Sequence, residues 1–251
     1  EIKLLQGKIQ YQLGNKNIAL GHFEKYKGDI LTLKSDELYQ FADAYYLGNK
    51  FDKALPFYIL LANEETEIGQ LSNYYIGLID VKSDQKERAL NAFAEASRKK
   101  FNPTISEVSA FNYAKLAAEL NKNNVAINSI NFFIKTYPES TYADEAKSLL
   151  ADVFLNTKNY KAAIKLLEDI PNLNVRSKEA YQKITFHRAE ELYLNQEYDR
   201  ADAFFKKSLK YPINKTQEGL AYFWRAEIAA KSGNYTTSIN LMNRFMSYDE
   251  I

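Results

Sequence analysis

The sequence is 251 residues long, 46% hydrophobic and 26% charged, with a net charge of +1 and no cysteine. Disulfides, thiolate metal sites and a cysteine nucleophile are thereby excluded, and the mixing of 33 basic with 32 acidic residues along the chain argues against a nucleic-acid-binding face. Nine glycines and five prolines are too few for strand-and-turn architectures, and the longest apolar run, residues 57–62, is too short to cross a bilayer.

The first expected unit covers residues 1–33. Gly7 marks one helix, the polar turn Gly14-Asn15-Lys16-Asn17 ends it, and Ala19, Phe23 and Tyr26 form the stripe of a second helix, because positions i, i+4 and i+7 share one face. Residues 34–69 repeat the scheme with Ala42, the turn Gly48-Asn49-Lys50-Phe51, and then Ala54, Tyr58 and Leu61. Here Asp52 is the expected N-cap of the second helix, with Pro56 in its first turn, where a missing amide costs least. Residues 70–105 carry Gly77, then Ala89, Phe93 and Ala96. The run Arg98-Lys99-Lys100 that follows, just before Asn102-Pro103, is expected to be a solvated helix terminus complementing the dipole.

Residues 106–140 carry Ala114, a turn at 121–124, the stripe Ala126, Ile130 and Phe133, and a closing Pro138. Residues 141–176 carry Ala151, Tyr160 at the turn, Ala163, Leu167 and Ile170, then Pro171 and an expected loop at 172–177. Residues 177–216 carry Ala189, Tyr198, Ala201, Phe205 and Ser208, and residues 217–251 carry Ala226, the turn Gly233-Asn234-Tyr235, Ser238, Met242 and Phe245. The single tryptophan, Trp224, is expected in the core of this last unit. In every unit the small marker of the second helix lies twelve positions after a small residue of the first. Two helices approach closely only where a small side chain meets a large one, so a fixed spacing fixes one crossing geometry, and stacking the pairs gives a superhelix. The chain starts at Glu1 rather than Met and stops soon after Met242, Phe245 and Met246 without an amphipathic cap. It therefore reads as a fragment of a longer protein, expected to self-associate through its ends.

The pattern resembles the tetratricopeptide repeat (TPR). The residues that carry the resemblance are Ile76-Gly77 with Ala89, Phe93 and Ala96; Leu150-Ala151 with Phe154, Tyr160 and Ala163; and Ala114 with Ala126, Phe133 and Pro138. Only some units end in the family's proline, and several exceed its usual length. The resemblance implies an all-α, right-handed superhelical solenoid of about seven helix-turn-helix repeats. The stretch Phe132-Phe133-Ile134-Lys135-Thr136-Tyr137-Pro138 followed by Tyr142-Ala143-Asp144-Glu145-Ala146 is similar to repeats of outer-membrane-protein assembly lipoproteins and of the Tol–Pal coordinator. The stretches Ala92-Phe93-Ala94-Glu95-Ala96-Ser97 and Phe111-Asn112-Tyr113-Ala114-Lys115-Leu116 resemble long repeat proteins of Bacteroidetes-type bacteria. The function implied is a non-enzymatic protein-protein interaction scaffold in a bacterial envelope complex, periplasmic and, in the full protein, outer-membrane anchored. The alternatives are a cytoplasmic peptide-binding regulatory module attached to another domain and, more weakly, polysaccharide binding.

In this family the first helix of each pair lines the concave face. The resemblance then implies partner-binding positions at Tyr11, Tyr39, Asp43, Tyr46, Tyr74, Phe111, Lys115, Phe186, Glu190, Tyr193, Phe223 and Glu227. Such an aromatic stripe either packs between repeats or forms a groove for a protein or peptide. Its acidic C-terminal half would favour a basic segment. The clamp by which some members grip a C-terminal carboxylate needs Lys and Asn, but Tyr39, Asp43, Phe111 and Lys115 stand there instead. No catalytic, metal or cofactor site is expected. His22 and His187 sit in units one and six, and no phosphate loop is present. The neighbours Glu190 and Glu191 project about 100° apart on a helix. The matches to a glycosylation sequon at Asn214-Lys215-Thr216 and Asn234-Tyr235-Thr236 carry little weight.

Overall fold

The computed structural model of the chain describes residues 1–170 and 172–248; Pro171, expected to close a repeat, lies outside them. Among these residues fourteen α-helices form seven successive pairs, and no strand is present. The pairs are α1 (Ile2–Gln12) with α2 (Lys16–Phe23), α3 (Ser35–Leu47) with α4 (Phe51–Leu61), and α5 (Glu67–Lys82) with α6 (Lys86–Arg98). Then come α7 (Pro103–Glu119) with α8 (Asn123–Thr136), α9 (Ala143–Asn156) with α10 (Tyr160–Glu168), α11 (Val175–Leu194) with α12 (Tyr198–Ser208), and α13 (Lys215–Lys231) with α14 (Tyr235–Phe245). The chain divides into two compact units, Glu1–Ser129 and Ile130–Ile251. No helix is long and apolar enough to cross a membrane among the described residues.

Every pair turns in the same way. One residue takes a left-handed conformation, at Gly14, Asn49, Asp84, Asn121, Lys158, Gln196 and Gly233. The next amide donates back to a carbonyl five residues earlier, as in Asn15 to Gln10, Asn159 to Phe154 and Asn234 to Ala229. This closure uses carbonyls the helix end would otherwise leave unpaired. In the second pair the left-handed residue is Asn49, not Gly48. Gly48 is needed for a close approach instead, since a Cβ there would stand 2.6 Å from Leu20 Cδ2.

The small residues of the first helices meet the large residues of the second. A Cβ on Gly77 would lie 2.7 Å from a ring carbon of Phe93, and one on Gly7 would be closer still to Phe23. Ala42, Ala189, Tyr58 and Phe205 are fully buried within the cores of their units. Trp224 packs onto this layer, stacked on Phe205 at 6.5 Å. Within Glu1–Ser129, α1 touches α3, α3 touches α5, and α5 touches α7; in the second unit α9 touches α11 and α11 touches α13. The side of each stack along which these first helices pack on one another is its inner side.

Polar side chains place the helix starts. Thr66, Asn102, Asn174 and Asn214 are N-caps that accept from the amides of Gly69, Ile105, Ser177 and Gln217. The first helices consequently open a few residues ahead of the boundaries at 70, 106, 177 and 217, and the loop expected at 172–177 already ends at Asn174. Asn234 caps α14 in the same fashion, so both sequon matches fall on capping asparagines. Two expectations need correction. The N-cap of α4 is Lys50, which puts Asp52 in the first turn and Pro56 inside the helix. Lys99 is buried rather than solvated: its ammonium donates to the Glu64 carbonyl and pairs with Glu65 at 3.0 Å. Arg98 stays exposed and pairs with Glu65 and Glu95.

Two buried glutamines brace successive repeats. Gln70 donates from Nε2 to the Asn102 carbonyl at 3.3 Å and accepts the Asn102 amide at 2.7 Å. Gln182 does the same to Asn214, at 2.9 and 2.7 Å. Each glutamine thus pins the capping residue of the next first helix, which fixes the entry point of that helix.

Candidate functional site

The inner side of the first unit carries a tyrosine cluster around one carboxylate. Asp43, in the third turn of α3, is 3% exposed. Its Oδ2 accepts from Tyr11 Oη at 2.8 Å and from Lys16 Nζ at 2.8 Å. Lys16 also lies over the Tyr11 ring, 4.9 Å from its centroid. Burial, and then the hydrogen bond to Asp43, push the Tyr11 phenol well above its ordinary range, so it stays a donor. Asp43 therefore ties α1 and α2 to α3.

Tyr39, also pushed up chiefly by burial, lies near Tyr75 and meets Tyr58 edge-on at 6.1 Å. Tyr46 touches Phe51, Tyr58 and Tyr75, the last with centroids 4.7 Å apart. Tyr58 stacks on Tyr75 at 5.1 Å, and Tyr74 joins through Tyr75 at 5.5 Å. Four of the sequence-derived positions, Tyr11, Tyr39, Asp43 and Tyr46, thus belong to one cluster, with Tyr74 on its edge. Tyr11, Tyr46 and Tyr74 keep part of their surface exposed. Phe111 and Lys115 pair with each other on α7, the ammonium 5.7 Å from the ring centroid; Phe111 is buried and Lys115 half-buried.

The second unit repeats the theme with more acid. Phe186 is 2% exposed and packs on Phe205 at 5.4 Å. Tyr193 lies between Tyr198 and Trp224, at 5.4 and 4.8 Å, and Phe223 meets Phe245 and Trp224, both at 5.3 Å. Glu190 accepts from, or pairs with, His187 Nδ1 at 2.8 Å, and His187 stacks on Tyr160. These residues, with Lys158, Glu191 and Leu194, line an open cavity of about 280 Å³. Glu227 on α13 is half-buried.

Lys16, Tyr58 and Tyr75 are not among the sequence-derived positions; Tyr75 follows Tyr74 on α5. Lys16 and Tyr58 stand on second helices. Tyr58 occupies the large-residue position that Phe23, Phe93, Ile130, Leu167, Phe205 and Met242 fill elsewhere, and its hydroxyl is buried without a hydrogen-bond partner. A polar atom where the other repeats are apolar was the available signal.

The arrangement defines a class: paired helices whose inner side presents tyrosines and carboxylates, with no group of three or more His, Cys, Asp or Glu able to hold a metal among the described residues. No family model and no curated protein matches the sequence. Solved structures do. A tetratricopeptide repeat protein from Parabacteroides merdae aligns at 18% identity over 86% of this chain and 80% of its own, with a TM-score of 0.50. A chain of the Naa15/Naa10 complex bound to HypK-THB aligns at 12% identity over 98% of this chain, with a TM-score of 0.62; this chain spans only 36% of that one. YrrB, described as a TPR protein with an unusual peptide-binding site, aligns at 13% identity over 73% of this chain and 89% of its own, with a TM-score of 0.50. At these identities the likeness is one of fold, and the fold is that of TPR-like helical repeat proteins.

Proposed function

We propose that the chain is a non-enzymatic protein-protein interaction scaffold that holds a protein or peptide segment against the inner side of its first helices, within a bacterial envelope complex. The observation that carries the reading is the partial exposure of Tyr11, Tyr46, Tyr74, Tyr193 and Phe223 on that side. Rigid, large side chains already held by ring contacts lose little entropy on binding. Tyr39 is half-buried beside them, and the buried Phe111 and Phe186 support the wall from beneath. Glu190 and Glu227 favour a basic segment opposite the second unit. The fold neighbour with a peptide-binding site agrees with a peptide as occupant. The envelope setting, periplasmic with an outer-membrane anchor in the full protein, rests on the sequence resemblance of residues 132–146. The exposed apolar residues Tyr235 and Ile239 of α14 and its C-cap Met246, with Ile2, Leu5 and Ile9 of α1, support end-to-end association of copies.

The test is a photo-crosslinking amino acid placed at Tyr74 or Phe223 in the native organism, with the captured protein then purified for binding. Tyr74→Ala and Glu227→Lys are expected to weaken that binding at least tenfold while circular dichroism stays unchanged. Equal binding by both variants would reduce the wall to inter-repeat packing. Osmotic-shock fractionation of the full protein tests the compartment; recovery in the cytoplasmic fraction would refute the envelope setting.

A further inference from the structure

The second helices of the Ile130–Ile251 unit hold a cleft that the inner-side reading does not use. Lys161, Ile164, Lys165 and Glu168 of α10 form one wall, Arg200, Phe204 and Lys207 of α12 the other, and Arg188 of α11 the floor, enclosing about 410 Å³. Five cations face one carboxylate. Glu168 is already engaged, accepting from Lys207 at 2.8 Å and Tyr181 at 2.9 Å. Burial works against its ionisation, but those hydrogen bonds outweigh it and hold the carboxyl below its usual range. Among the described residues Arg188 pairs only with Glu191 of its own helix, and Arg200 only with Glu197, the N-cap of its own helix. Lys161 and Lys165 have no ion-pair partner among the described residues. With all three carboxylates counted, two positive charges remain in excess.

The adjacent repeat supplies an internal comparison. Arg225 stands one residue before Ala226 as Arg188 stands one before Ala189. Its cleft, between α12 and α14, is also lined by Asp199 and Asp202 and measures about 240 Å³. There the arginine is neutralised across the cleft by Asp202 at 2.7 Å, and Asp202 also pairs with Lys206. Counting from the small markers Ala163 and Ala201, the positions of Asp199 and Asp202 are held on α10 by Lys161 and Ile164. The same architecture is self-neutralised in one repeat, and wider and cationic in the one before it.

We infer that the α10–α12 cleft is a second docking site, and that its occupant is an acidic peptide segment of a partner protein with an apolar side chain between its carboxylates. The lining positions on each wall lie seven steps apart from first to last, about 10 Å of helix, which matches about three extended residues. Ile164 and Phe204 lie between the cations of the two walls, an apolar surface that a bare inorganic anion leaves unused. Arg188 and Arg200 offer planar donor pairs suited to carboxylates.

The probe is a fluorescein-labelled peptide Glu-Asp-Leu-Asp-Glu, read by fluorescence anisotropy, beside its neutral counterpart Gln-Asn-Leu-Asn-Gln. The acidic peptide is expected to bind and the neutral one not, with affinity falling as salt rises. Lys161→Asp, which installs the residue of the neighbouring cleft, and Arg200→Thr are each expected to weaken binding at least tenfold. Lys25→Asp, an exposed change of the same charge in the first unit, is expected to leave it within twofold. Equal losses in Lys25→Asp would mean unspecific attraction and would overturn the site. Displacement by equimolar inorganic phosphate, or tighter binding of a short single-stranded oligonucleotide, would overturn the occupant. Because the cleft shares no residue with the inner wall, these variants leave the Tyr74 and Glu227 test untouched.

Discussion

Replacing Gly77 by alanine isolates the contact on which the repeat geometry depends. Gly in a helix interior is about 1 kcal/mol worse than Ala, so the backbone alone favours the change. The new Cβ, however, would lie 2.7–2.8 Å from three ring carbons of Phe93, which is 1% exposed and has nowhere to move. Overpacking of this kind costs roughly 1–3 kcal/mol, which leaves a net loss of up to about 2 kcal/mol. Gly21 is the control. It also lies within a helix, α2, but a Cβ there meets nothing within 4 Å, so Gly21→Ala should gain about 1 kcal/mol. Urea unfolding followed by circular dichroism compares the two under one condition, and adding Phe93→Leu to Gly77→Ala should restore part of the loss. A Gly77→Ala variant stabilised as much as Gly21→Ala would refute the small-against-large account of helix pairing.

The Tyr58 hydroxyl is buried and unpaired, so Tyr58→Phe should raise stability by about 1–3 kcal/mol; a lower urea midpoint would mean that the hydroxyl has a partner in solution. Burial pushes the Asp80 carboxyl above its ordinary range, only partly offset by Arg88 at 3.3 Å. Its folded form then prefers the proton more than the unfolded form does. The associated stability is present below the unfolded value and is lost as pH rises through the folded one. Asp80→Asn should therefore be more stable than the parent at neutral pH, with the gap closing toward about pH 4. A gap independent of pH in denaturant titrations would count against that assignment.

The helix pairs were readable because their signal is local and repeated: Ala54 and Tyr58, or Ala201 and Phe205, are four residues apart on one helix face. Helix starts were less so. Asn102, Asn174 and Asn214 could each have been read as loop residues, and their capping role emerges once Gln70 and Gln182 are seen to hold two of them from the preceding repeat. Lys99 misled for a similar reason. Its neighbours in sequence are Arg98 and Lys100, but its ammonium reaches the Glu64 carbonyl and Glu65 across the repeat. For the inner wall, spacing identified the helix face but not which members remain accessible. Phe111 and Phe186 follow the same pattern as Tyr74 and Phe223, yet the first two are buried and the other two are half-open, a difference set by neighbouring repeats.

The hairpin joining each pair is held by main-chain groups, and the side chain at its left-handed position varies from glycine to asparagine, aspartate, lysine and glutamine. A lysine or glutamine pays a modest conformational penalty there, and the carbonyl bonds keep the bend regardless. Mutational drift can therefore rewrite these corners while the angle between the helices persists. Architecture of this kind outlives its own recognisable spelling, which leaves substitutions on the outer surfaces free to specialise one repeat without disturbing the next.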